Sequence, residues 1–278
     1  MERTAKWILV GLITVVVSAS TCFAGAWTAP KGRMYNKLSV NIYTADQQYN
    51  DSGNKTGFAN DGDFSDTNIN YYMEYGITDT LTVLTSLSYK WLESEDLYSV
   101  SKTDGFSDVD LGLKYRLFSN RAGVMSIQGL IKIPEMYDTD DAVPLGNGQY
   151  DTEFRLLYGH SLYPFIPGYF NLEAGYRFRA ESPADEFRYL VEFGMDLTKT
   201  VYGRAKLDGI IGMGNGDLSQ DVSNNPTTSL DYDLGKLDLA LGLHVSPKWC
   251  FELGYRAEIY GENTAAGKNI SLAVIFEY

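Results

Sequence analysis

Hydrophobic and polar residues alternate along the chain in stretches of about ten residues, most clearly in the final stretch, ISLAVIFEY. One parity of this stretch is wholly apolar, and the other is mostly small or polar. The apolar set consists of Ile270, Leu272, Val274, Phe276 and Tyr278. Successive side chains of a β-strand point to opposite faces. The pattern therefore predicts a closing strand with one apolar face.

The same alternation recurs along the whole chain and predicts about twelve strands. They cover residues 37–43, 68–75, 81–91, 108–117, 125–133, 150–162, 170–179, 187–197, 202–208, 237–244, 249–259 and 270–278. Polar segments rich in Asp, Asn, Gly and Ser predict long loops at 44–66, 92–105, 134–148, 215–229 and 261–268. Long loops alternate with short turns, as they do in outer-membrane barrels.

The predicted fold class is all-β, a transmembrane antiparallel up-and-down β-barrel of about twelve strands forming a single domain, 27–278. A soluble β-sandwich also alternates. The apolar faces here are longer and more aromatic, and the 21 Tyr, 13 Phe and 4 Trp suit aromatic girdles at two membrane interfaces. Beyond the N-terminus, no stretch approaches the roughly 20 apolar residues that a membrane helix needs. A sheet in lipid must close on itself to satisfy its backbone.

The N-terminus has the order of a secretory signal peptide, predicted as residues 1–26. Arg3 and Lys6 precede an apolar run, and small residues follow at 24–26. Cleavage after Ala24 and cleavage after Ala26 both fit this pattern. We therefore expect export through the periplasm to the outer membrane of a Gram-negative cell. Outer-membrane lipid is then an expected partner.

Charge and cysteine content argue against a nucleic-acid partner and against an intramolecular disulfide. The formal net charge of −13 argues against nucleic acid as a partner. Cys22 falls in the predicted signal, so Cys250 has no partner for a disulfide.

The polar faces carry charges of both signs, and we expect them to line the barrel interior. These candidate residues of a solute path are Asp110, Lys114, Arg116, Glu153, Arg155, Glu173, Arg177, Arg188, Glu192, Arg204, Lys206, Glu252 and Arg256. They have two interpretations. They set the field of a polar pore, or they pair with one another and plug a barrel of modest bore.

We expect no enzyme, metal or cofactor. His160 and Ser161 are adjacent and would face opposite sides of a strand, which prevents a nucleophile–base contact. Two His and one remaining Cys make a poor transition-metal site. The acidic run 138–141 could bind calcium but matches no EF-hand spacing.

Two segments resemble a known family. Residues 105–115, GFSDVDLGLKY, and 144–151, PLGNGQYD, are similar to segments of the outer-membrane barrels grouped with the meta-pathway of phenol degradation. The resemblance implies an outer-membrane transporter of aromatic or other small compounds. The aromatic last residue also resembles the ends of outer-membrane proteins, which implies that the final strand is bound by the barrel-assembly machinery. The expected function is passage of small solutes, the alternative being a structural or surface-interaction barrel with a plugged lumen.

Overall fold

A closed antiparallel barrel of twelve strands makes up the fold in a computed structural model, which describes residues 25–217 and 225–278. The twelve barrel strands are β1 (Met34–Ala45), β4 (Asp63–Gly76), β5 (Leu81–Glu95), β6 (Val100–Asn120), β7 (Gly123–Ile133), β8 (Asp151–Ser161), β9 (Gly168–Arg179), β10 (Glu186–Asp196), β11 (Val201–Gly212), β12 (Asp233–His244), β13 (Trp249–Glu262) and β15 (Lys268–Glu277). Three short strands lie outside the barrel: β2 (Gln47–Tyr49), β3 (Lys55–Gly57) and β14 (Thr264–Ala265). The predicted fold class is confirmed. Most of the predicted signal, residues 1–24, lies outside the described residues, as do 218–224 of one predicted loop.

The last barrel strand closes the sheet against the first. Strand β15 pairs with β13 on one side and with β1 on the other, in the register Leu38↔Val274. Every other barrel strand pairs with its neighbours in sequence order, apart from the three short strands β2, β3 and β14, which form a small separate sheet at one end. Closure leaves no free edge, so each strand's backbone is hydrogen-bonded on both sides.

The two parities of the strands separate into an outer and an inner wall. In β1, Leu38, Val40 and Ile42 are 43–53% exposed on the outside, whereas Ser39 and Tyr43 are buried inside. The predicted closing face behaves in the same way, since Ile270 and Leu272 are exposed outwards. The outer surface is therefore an apolar belt. Among the described residues, no helix is both long and apolar enough to cross a bilayer.

Connections at the two ends of the barrel differ in length. Turns of two to six residues join strands at one end, which we call the turn end: 77–80, 121–122, 162–167, 197–200 and 245–248. The opposite end, the loop end, carries the long connections 46–62, 134–150 and 213–232. The predicted loop at 92–105 is wrong. Strands β5 and β6 continue through it, with Glu95 opposite Val100, because a hydrogen-bonded ladder can extend into water beyond the apolar belt.

Candidate functional site: a charged barrel interior stoppered at both ends

Ion pairs cross the inside of the barrel from strand to strand. The most deeply buried is Lys114–Glu74, with 2.9 Å between the ammonium nitrogen and a carboxylate oxygen and exposures of only 1% and 2%. Arg177 donates from Nε to Glu153 at 2.8 Å. Arg204 bridges Glu192, at 3.0 Å, and Glu252, at 2.8 Å. Each of these charges thus has an opposite charge within reach, which offsets the cost of removing it from water.

Two cavities remain between these side chains. The large cavity has a volume of about 670 Å³ and the small cavity about 310 Å³. Tyr72, Arg204 and Lys206 line both, so the cavities are adjacent and these three side chains lie between them. The interior is therefore partly filled by side chains and partly open.

The cavities differ in formal charge. The cations of the large cavity are Lys37, Arg188, Arg204, Lys206, Lys236 and Arg256, and its carboxylates are Asp66, Asp238, Glu252 and Glu258. The carboxylates of the small cavity are Glu74, Asp110, Glu173, Glu192 and Asp208, and its cations are Lys114, Arg155, Arg204 and Lys206. The large cavity thus has an excess of two cationic groups, and the small cavity has one extra carboxylate.

The predicted solute-path residues occupy different places in this interior. Those lining a cavity are Asp110, Lys114, Arg155, Glu173, Arg188, Glu192, Arg204, Lys206, Glu252 and Arg256. Glu153 and Arg177 belong to the ion-pair network without lining either cavity. Arg116 lies near the turn end of β6, beside a β-bulge, and lines neither cavity. The bulge follows Arg116, so strict alternation no longer holds there.

Several charged residues of the interior are absent from the predicted solute path. They are Lys37, Glu74, Lys132, Asp151, Arg179, Glu186, Lys236 and Asp238. Most share the parity of polar residues in the predicted strands, as Glu74 does with Tyr72. Parity was the signal that could have found them. It does not show which charge meets which across the barrel.

Residues 25–33 lie at the turn end, where 25–29 fold into the barrel and 30–33 stay exposed at its rim. The Gly25 carbonyl accepts a hydrogen bond from Lys114 Nζ at 2.9 Å, and the Ala26 carbonyl accepts one from Ser126 Oγ at 2.5 Å. Ala26 is completely buried, and the Trp27 ring packs edge-on against Tyr169. Nearer the rim, the Ala29 amide donates to Thr82 Oγ1 at 2.9 Å. We call residues 25–33 the N-terminal stopper.

Two glycines of the wall make room for this stopper. A Cβ on Gly159 would lie 2.6 Å from the Trp27 ring, and one on Gly76 would lie 2.1 Å from the Pro30 carbonyl oxygen. Neither distance is possible for real atoms. The close approach of the stopper to β4 and β8 therefore depends on the missing side chains.

The connection 134–150 folds inwards at the loop end. Val143 and Leu145 are 0% and 2% exposed, and they pack in a buried cluster with Tyr43, Phe64 and Leu92. The Leu145 carbonyl also accepts a hydrogen bond from Ser107 Oγ at 3.0 Å. The sequence predicted this segment only as a loop. We call it the inward loop.

Hydrogen bonds hold the inward loop to its surroundings. Tyr137 donates to Asp108 Oδ1 at 2.7 Å and accepts from the Gly148 amide at 2.9 Å. Burial, together with the Asp108 carboxylate, raises the pKa of Tyr137 well above its ordinary value. Asn225 donates to the Pro144 carbonyl at 2.8 Å, which joins the inward loop to the connection before β12.

The residues considered for catalysis or for binding a metal do not line the two cavities. His160 Nδ1 lies 3.1 Å from the Ala122 carbonyl at the turn end. Cys250 is buried, with its Sγ 3.5 Å from the Tyr202 hydroxyl. Within 25–217 and 225–278, no group of three or more His, Cys, Asp or Glu has the geometry of a metal site.

Solved structures share this architecture at low sequence identity. No protein-family model matches the sequence, and no curated protein matches it significantly. The COG4313 outer membrane channel from Pseudomonas putida F1 is 15% identical, with a TM-score of 0.74 over 91% of this chain and 98% of that one. The NanC porin is 7% identical, with a TM-score of 0.51 over 85% of this chain and 98% of that one. A mutant of the monoaromatic hydrocarbon channel TodX is 10% identical, with a TM-score of 0.51 over 90% and 91%. At these identities the likeness shows the fold, that of outer-membrane barrels.

Proposed function

We propose that the protein is a channel of the bacterial outer membrane that carries small solutes. The observation that carries this proposal is the pair of adjacent, polar cavities inside a closed barrel with an apolar outer belt. An apolar belt suits lipid, and a charged interior suits water and polar solutes. The similarity of fold to outer-membrane channels and porins supports the same proposal.

The chemistry of the large cavity favours small organic anions that contain an aromatic ring. Lys206 and Lys236 lie 3.6–3.9 Å from the carboxylates of Asp208 and Asp238, too far for hydrogen bonds. Their ammonium groups therefore keep donors for a carboxylate solute, and a charge-assisted hydrogen bond is stronger than a neutral one.

Tyrosine rings in the same cavity would contact the aromatic ring of such a solute. Tyr35, Tyr43, Tyr72 and Tyr232 line the same large cavity. Aromatic rings favour offset or edge-on contacts with another ring. Burial and the neighbouring Glu186 carboxylate raise the pKa of Tyr232 to about 12, so its hydroxyl remains neutral at physiological pH. The cavity thus combines cationic donors with aromatic walls.

Single-channel recording in a planar bilayer tests this function. We expect discrete openings that benzoate reduces and that neutral benzyl alcohol leaves unchanged. In the double variant Lys206→Gln/Lys236→Gln, we expect benzoate block to weaken roughly tenfold, through loss of charge-assisted contacts. Lys102→Gln, on an exposed pair with Glu93, is the matched control and should keep full block. Openings that ignore benzoate in every variant would contradict the solute class.

The second candidate function is a structural or surface-interaction barrel with a plugged lumen. The N-terminal stopper and the inward loop favour it, because both place buried chain inside the barrel ends. This candidate predicts no conductance even after both the N-terminal stopper and the inward loop have been shortened. It also predicts that activity in the cell depends on the exposed surface of the loop end and is unaffected by replacement of the cavity cations.

A further inference from the structure

The position of Gly25 inside the barrel bears on where the exported chain begins. Gly25 lines the small cavity, and its carbonyl is one acceptor for the buried Lys114 ammonium. The next residue, Ala26, is completely buried and accepts from Ser126. Both residues therefore help to hold the N-terminal stopper against the barrel wall.

Cleavage after Ala26 would remove both of these acceptors. Lys114 would keep only Glu74, and buried Ser126 would lose the carbonyl at 2.5 Å. A buried polar group without a partner costs roughly 1–3 kcal/mol. Cleavage after Ala24 keeps both contacts. Small residues precede each bond, so the sequence alone fits both positions.

We propose that signal peptidase hydrolyses the Ala24–Gly25 bond and that the new α-ammonium of Gly25 binds inside the small cavity. Water adds across the peptide bond, leaving a carboxylate on Ala24 and, at neutral pH, a protonated amine on Gly25. The predicted signal then ends two residues earlier than 26. An internal amine becomes part of the barrel lining.

The charge of the small cavity fits a cation at this position. Its side chains supply five carboxylates and four cations. One α-ammonium makes the two numbers equal, and its ordinary pKa of about 7.7–8.0 keeps it mainly protonated at pH 7. Glu74 and Glu192 line the same cavity and favour the charged form, whereas the Lys114 ammonium bonded to the Gly25 carbonyl opposes it.

The wall at this position also requires glycine. A Cβ on Gly25 would lie 2.3 Å from the Asn171 amide nitrogen, too close for real atoms. The first residue of the stopper is therefore the one residue type that brings an α-amine this close to the wall.

The first test is the intact mass and N-terminal sequence of the full-length protein purified from outer membranes. We expect a chain that begins Gly-Ala-Trp-Thr. A chain beginning at Trp27, or one that retains residues before Gly25, would overturn the proposal.

The second test asks whether the amine lies inside the folded barrel. In acylation at neutral pH followed by mass analysis of the N-terminal peptide, we expect the Gly25 amine to react at least roughly tenfold slower in the folded protein than in urea, because the reagent reaches it only when the stopper opens. Gly159→Val should restore fast labelling, because a Cβ on Gly159 would lie 2.6 Å from the Trp27 ring and so displace the stopper. Gly129→Val is the matched control on a neighbouring strand, since the nearest atom to a Cβ there is 3.8 Å away, and it should leave the amine protected. Equal labelling of the unmodified chain and Gly159→Val would contradict an internal ammonium.

Discussion

The two ends of the barrel are closed by different physical means. At the turn end, backbone carbonyls of the N-terminal stopper accept hydrogen bonds from buried polar side chains, Lys114 and Ser126. At the loop end, the inward loop buries the apolar side chains Val143 and Leu145 against the wall. The first closure depends on charge and hydrogen bonding, and the second depends mainly on apolar burial. A substitution that loosens one end should therefore leave the other in place.

The largest effect is expected from the ion pair beneath the N-terminal stopper. Replacing Lys114 by Met leaves the Glu74 carboxylate buried without its partner, which costs about 3–5 kcal/mol. Urea titration in detergent micelles measures the loss. The double variant Lys114→Met/Glu74→Met should recover most of it.

An exposed ion pair supplies the matched control. Lys102 and Glu93 lie 2.9 Å apart but are 65% and 38% exposed, so Lys102→Met should cost no more than about 1 kcal/mol. Equal losses for Lys114→Met and Lys102→Met would mean that the turn end does not depend on a buried charge pair.

The loop end should respond to loss of apolar volume. Leu145→Ala removes a side chain that is 2% exposed, and such a cavity costs about 2–5 kcal/mol. Because the loss falls on the docked loop, we expect faster protease cleavage within 134–150 while barrel strands remain resistant. Leu97→Ala, 67% exposed in the β5–β6 hairpin connection, is the control and should not change the cleavage rate. An unchanged rate in Leu145→Ala would show that burial does not hold the inward loop.

A smaller, pH-dependent effect is expected at Tyr137. Tyr137→Phe loses a hydrogen bond to a carboxylate, about 1.5–3 kcal/mol. The pKa of Tyr137 is raised in the folded state by burial and by Asp108. Its contribution is therefore complete below the unfolded tyrosine pKa of about 10, and it is lost as pH rises through the folded value.

Urea titrations at pH values from about 8 to about 11 measure the contribution of the Tyr137 hydroxyl to stability. This range includes the unfolded tyrosine pKa of about 10. The stability difference between the unmodified protein and Tyr137→Phe should be constant at first and then fall. Tyr150→Phe, on an exposed hydroxyl bonded to Glu135, should show little difference throughout. A Tyr137 difference that grows with pH would contradict a raised pKa of this hydroxyl in the folded state.

Sequence periodicity predicted the strands of the barrel wall much better than it predicted the N-terminal stopper and the inward loop. Alternation in β1 placed Leu38 and Ser39 on opposite faces, because the strand repeat is fixed at two residues. The stopper has no such repeat, and its partners Lys114 and Ser126 lie 89 and 100 residues away. In the inward loop, the apolar residues Val143 and Leu145 are the sequence signal that could have indicated its inward course. The pairing of β5 and β6 beyond the apolar belt left little hydrophobic signal, because the paired residues there are mostly polar, with Leu92 and Val100 as exceptions.

The most direct test compares the single-channel conductance of the refolded chain 25–278 with that of a chain that begins at Lys31 and also carries Leu145→Ala. The altered chain lacks the residues that bind Lys114 and Ser126 and has a loosened inward loop, but it keeps every barrel strand. If the interior is a solute path obstructed by the N-terminal stopper and the inward loop, the altered chain should conduct severalfold more current, and benzoate should still reduce that current. Two folded chains that conduct equally, or not at all, would contradict that claim.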